Sequence, residues 1–118
     1  MCFVQWKIQN NNLFINGTLV LDIGKIESVI EKKNVLIVQT SLPPSAADRD
    51  ANVFGFNALG EKLWQIQSFL RPNGGANPVA EIHEKDGKII LYFSYGVIAE
   101  LNVKTGEYQF PATDARPW

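Results

Sequence analysis

The sequence is poor in the residues that carry most site chemistry. Among 118 residues there is one cysteine, Cys2, and one histidine, His83. A single cysteine cannot close a disulfide within the chain, which excludes a secreted disulfide scaffold. One Cys and one His also fall short of the four N/S ligands of a closed zinc site. Neither sign of charge is in excess, since 11 Lys+Arg face 12 Asp+Glu for a formal net charge of −1. The balance holds along the chain, with five of each sign in residues 1–60 and six basic against seven acidic in 61–118. Such a balance lacks the basic footprint of a nucleic-acid binder and the polybasic patch of a membrane-surface protein, so neither partner is expected. Long hydrophobic runs are missing too. The longest, Val35–Val38 and Ile89–Phe93, are far below the ~20 residues that span a bilayer. The N-terminal residues do not read as a signal peptide, and a cytoplasmic location is expected.

What the chain does contain is apolar and β-prone. Hydrophobic residues make up 46% and charged residues 19%, a globular composition with enough length for one domain over residues 1–118. The apolar segments are short, β-branched or aromatic, and ended by turn residues. Phe3–Ile8 alternates and stops at Asn10-Asn11-Asn12. Leu13–Ile15 and Thr18–Leu21 flank Asn16-Gly17, a pair suited to a tight hairpin because both residues tolerate positive φ. Further strands are expected at Val35–Thr40, Val53–Asn57, Lys62–Gln67, Val79–Glu84, Lys88–Tyr95, Val97–Val103 and Glu107–Phe110, with Asp86-Gly87 and Thr105-Gly106 as tight turns. Over residues 23–33, Ile23, Ile26, Val29 and Ile30 have helical spacing, yet β-branching favours a strand over Ile26–Glu31. Val35–Thr40 and Lys88–Tyr95 are apolar on both faces and read as central strands. Ala80–Glu84 reads as half-exposed, with Glu81 and His83 on one face.

The chain also repeats itself. Glu27–Thr40 aligns with Ala80–Ser94, and Phe56–Trp64 with Leu101–Tyr108. Each unit is strand, turn, strand, variable segment, strand, Gly-turn, strand. Residues 1–25 then supply N-terminal hairpin strands, 26–67 a first unit and 78–110 a second. The run Phe56-Asn57-Ala58-Leu59-Gly60-Glu61-Lys62-Leu63-Trp64, echoed by Leu101-Asn102-Val103-Lys104-Thr105-Gly106-Glu107-Tyr108-Gln109-Phe110, resembles the blade repeat of quinoprotein-type β-propellers. The resemblance covers residues 26–110 and implies blade-like four-stranded sheets. Propellers close with about four to eight blades, and this chain holds about two. No quinone or metal ligand of that family has a counterpart here. The expected fold is therefore all-β: an antiparallel meander of about nine to ten strands in two blade-like sheets, forming a sandwich or a truncated propeller.

Sites with recognisable chemistry are scarce. His83 is the one candidate neutral-pH base, with Glu81 beside it on the strand face, but no nucleophile turn accompanies them. Asp48-Arg49-Asp50-Ala51-Asn52 begins like a calcium loop. Val53 then stands where the turn needs Gly, and Leu59 where the bidentate acid belongs. Asn73-Gly74-Gly75-Ala76-Asn77 lacks both the spacing and the following helix of a phosphate cradle. No catalytic residue, metal or cofactor is expected.

Two long segments, Ser41–Ala51 and Ser68–Pro78, interrupt a meander that otherwise uses minimal turns. Loops of that length on a rigid scaffold are where binding residues concentrate. Asp48, Arg49, Asp50, Arg71, Asn73 and Asn77 in these segments, and Trp118 in the C-terminal tail, are the expected partner-binding residues, Trp and Arg being common interface anchors. The sequence thus points to a non-catalytic protein-binding module, a small inhibitor of the kind exemplified by immunity proteins that neutralise bacterial toxins. Two rival readings are a structural blade pair completing a larger β assembly or homodimer, and a carbohydrate-binding domain using Trp64, Tyr92 and Tyr95 as a platform.

Overall fold

The computed structural model describes residues 5–21, 25–41, 51–67, 77–94 and 97–110. They form eleven strands and, among the described residues, no helix. The strands are β1 (Trp6–Gln9), β2 (Asn12–Ile15), β3 (Thr18–Leu21), β4 (Lys25–Lys32), β5 (Val35–Ser41), β6 (Val53–Phe56), β7 (Lys62–Gln65), β8 (Val79–Lys85), β9 (Lys88–Phe93), β10 (Ile98–Leu101) and β11 (Tyr108–Gln109). All pairing is antiparallel between sequence neighbours, giving three sheets in the orders β1-β2-β3, β4-β5-β6-β7 and β11-β10-β9-β8. The all-β meander follows from the alternation and the turns. Asn10 and Asn11, Asn16 and Gly17, Lys33 and Asn34, and Asp86 and Gly87 all take positive φ, the backbone that two-residue hairpins require. Within residues 1–25, expected to add hairpin strands, β1, β2 and β3 build a sheet of their own.

The sheets stack in three layers, and the β4–β7 sheet is the middle one. Successive side chains of a strand point to opposite faces, so β5 serves two cores at once. Leu36 and Val38 join Phe54 and Phe56 against Leu13, Ile15 and Leu21 of the first sheet. Val35 and Ile37 join Val53, Trp64 and Ile66 against Val79, Ile82, Ile89, Leu91 and Phe93 of the third. Every residue from Val35 to Thr40 is buried, as its apolar character on both faces led one to expect. At about 1.5–3 kcal/mol for each large side chain taken out of water, this double-sided burial fixes the register of the middle sheet. Lys88–Phe93 departs from that expectation. Its inward residues Ile89, Leu91 and Phe93 are buried, whereas Ile90 and Tyr92 on the outer face are only partly covered, because no described sheet packs beyond the third.

Residues 25–32 are strand, and a bulge explains their helical spacing. The pairing slips between Ile26 and Ser28, which puts Ile26 and Val29 on the face packed against the first sheet. Ile30 faces the third. Among the described residues, no helix is long and apolar enough to cross a membrane.

Candidate functional site

Trp64 joins the middle and third sheets. Its indole N–H donates to the Val103 carbonyl at 2.7 Å, and the ring lies across two glycines. A Cβ on Gly55 would stand 2.3 Å from Trp64 Cε2, and one on Gly106 2.6 Å from Cδ2 and Cγ. Only hydrogen fits at either position. The first and middle sheets repeat the arrangement on a smaller scale. Asn16 Nδ2 donates to the Ala58 carbonyl at 2.6 Å, and the space beside Gly60 is filled by Val20 Cγ1 at 3.1 Å. Ala58 and Val103 each follow the asparagine of a Gly-turn. The Asn57 carboxamide oxygen accepts from Leu59 and Glu61 N–H, and that of Asn102 from Lys104 and Thr105 N–H. The repeated Asn…Gly motif is therefore an inter-sheet fastening. Trp64, at 7% exposure, is withdrawn from any sugar-binding platform, and Tyr95 lies outside the described residues.

A buried polar knot sits at one end of the stack. Asn52 Nδ2 donates to the Thr40 carbonyl at 2.7 Å and to the Val79 carbonyl at 2.9 Å, while its Oδ1 accepts from Val79 N–H at 2.9 Å. Thr40 N–H returns a bond to the Asn52 carbonyl at 2.9 Å. Gln39 Nε2 reaches the Val79 and Ala80 carbonyls at 3.1 and 2.8 Å. These bonds draw together the two ends of the first long segment, at Thr40 and Asn52, and the point where the second rejoins the scaffold, at Val79. Asn52 thus spends its amide on backbone groups.

Of the residues expected to touch a partner, Asp48, Arg49, Asp50, Arg71, Asn73 and Trp118 lie outside the described residues. Asn77 is corrected. It is 2% exposed, an interior residue whose side chain offers a partner no surface. The hydrogen-bonding residues Gln39 and Asn52 were not foreseen, although a polar residue inside the apolar run Val35–Thr40, and another just before Val53, are the signals that mark them.

His83 stands on the open outer face of the third sheet. Glu81 is 2.6 Å from its Nε2, and Tyr92 meets the imidazole edge-on at 5.0 Å. His83 and Glu81 are 52% and 67% exposed. Among the described residues the pair is open to solvent on this face. A groove of about 780 Å³ lies elsewhere, beside β7, β10 and β11, lined by Gln65, Gln67, Glu100, Asn102, Tyr108 and Gln109 among others. Tyr108 Oη donates there to the Gln67 carbonyl at 3.1 Å. The lining is amide-rich, and His83 is not part of it. No group of three or more His, Cys, Asp or Glu side chains gathers among the described residues.

Neither a curated protein nor a solved structure matches the chain. A family model covers residues 3–112 of it, all eleven described strands included, and by that match the chain belongs to the domain of unknown function DUF7957.

Proposed function

We propose that this chain is a non-catalytic protein-binding module, a small cytoplasmic inhibitor of the immunity-protein kind directed at a bacterial toxin. One observation carries the reading: the Asn52 knot gathers the roots of both long segments at one end of a doubly packed stack. Segments 42–50 and 68–76 contain Asp48, Arg49, Asp50, Arg71 and Asn73. Segments rooted near one another on a β scaffold are where recognition residues concentrate, and mixed charge in their sequence would supply electrostatic selectivity without chemistry.

The test is complex formation in the source cell. A tagged chain is expected to retain one protein at equal stoichiometry and to relieve that protein's toxicity. Arg49→Glu and Arg71→Glu should weaken the complex with little change in the thermal midpoint. Unaltered affinity in both variants removes the long segments from the interface.

A further inference from the structure

The middle and third sheets have four strands and the first has three, with β1 as one of its two edges and β3 as the other. We infer that the β1 edge takes an extended segment of a partner protein as a fourth strand, with apolar and acidic residues alternating along it. The inference rests on the recognition reading above and adds to it a site and a binding mode.

The backbone of β1 is set for this. Register pairs Gln9 with Asn12, Lys7 with Phe14 and Trp6 with Ile15. The tight turn at Asn10-Asn11 makes Gln9–Asn12 a hydrogen-bonded pair, and bonded pairs alternate along an antiparallel ladder. The Asn16 N–H bond to the Gln5 carbonyl, 2.8 Å, keeps that phase. Gln5, Lys7 and Gln9 thus spend their backbone groups on β2. The N–H and C=O of Trp6 and Ile8 point the other way, to an edge on which no described strand pairs.

The side chains point to the same guest. All four residues of β1 are exposed, Trp6 at 40% and Ile8 at 41%. Cross-strand partners share a face, so Trp6 and Ile8 extend the surface of Ile15 and Leu13, which is the core packed against the middle sheet. Inward residues of an added strand would continue that apolar core. Outward residues would lie beside Lys7, whose ammonium rests 5.7 Å from the Phe14 ring centre, and an acidic side chain complements it. Charged side chains and proline commonly guard exposed edges. β1 has one lysine, and two large apolar residues face the core side.

The backbone phase gives the test a clean variant. Trp6→Pro or Ile8→Pro deletes an outward N–H together with the apolar side chain, at a position where edge strands tolerate proline, and Ile8→Ala separates the two losses. Lys7→Pro would break the ladder to β2 and serves as the folding control. Random peptides displayed on phage would be selected on the full chain. Enriched peptides should alternate apolar and acidic residues, protect the Trp6 and Ile8 amides from hydrogen exchange, and bind Ile8→Pro about tenfold more weakly. The Ile8→Pro chain should keep the wild-type circular dichroism and thermal midpoint. Peptides that bind Ile8→Pro equally, or leave both amides unprotected, would overturn the edge site while the recognition reading stands. A library with no enriched peptide overturns it as well. A dimer in sedimentation that Ile8→Pro dissolves would put a second copy in place of the partner segment. If the wild-type chain also retained no protein in the source cell, the recognition reading itself would fall.

Discussion

The side-chain amide of Asn52 pairs with the backbone of Val79 as a neighbouring strand would, giving one bond and taking one, each 2.9 Å long. It does so at 2% exposure, where an unmet backbone group costs about 1–3 kcal/mol. Asn52→Ala takes the side-chain partner from the Val79 N–H and the Thr40 carbonyl, while the Val79 carbonyl keeps Gln39 Nε2 at 3.1 Å. The expected loss is about 3 kcal/mol in urea unfolding, with the larger share of any structural change at the roots of the two long segments.

Trp64 and its two glycines form a lock that a methyl group would spoil. Gly55→Ala and Gly106→Ala should each cost about 3 kcal/mol, Gly106 also because its φ of +78° suits glycine. Gly87 is the control: its φ is +78° as well, but no atom lies within 4 Å of a built Cβ, so Gly87→Ala should cost only about 1 kcal/mol. A double-mutant cycle checks the cause. Trp64→Leu should be much less damaging in the Gly55→Ala background than alone.

The exposed ion pairs should matter little. Lys32 and Glu84 join the middle and third sheets at 2.6 Å, but Glu84 is 45% exposed. Glu84→Gln should lower stability by less than about 1 kcal/mol, and added salt should shrink the difference further. His83→Ala, on the open face, should fall within about 0.5 kcal/mol of the parent in the same measurement.

The hairpins were legible in the sequence because each turn carries its own chemistry: Asn16-Gly17 and Asp86-Gly87 need nothing from elsewhere in the chain to be recognised. Strand β4 was harder. Its bulge after Ile26 spaces Ile26 and Val29 three apart on one face, as a helix would, and only pairing with β5 separates the two readings. The scaffold polar residues were not legible. Asn52 belongs, by local sequence, to an acidic loop, and its bonds to Thr40 and Val79 span 12 and 27 residues. The outer half of Lys88–Phe93 misled for a related reason, since its apolar sequence does not say whether a further layer covers Ile90 and Tyr92.

Among the described residues, every ladder joins strands adjacent in sequence. Such local wiring shortens the loops that must close before a contact is made, and it favours rapid assembly for an all-β chain. On the ribosome, each hairpin can zip as soon as its second half emerges. The seams between layers, Asn16 to Ala58 and then Trp64 to Val103, must wait for the later turn to be synthesised. The order of birth along the polypeptide is then also the order in which the layers are sealed.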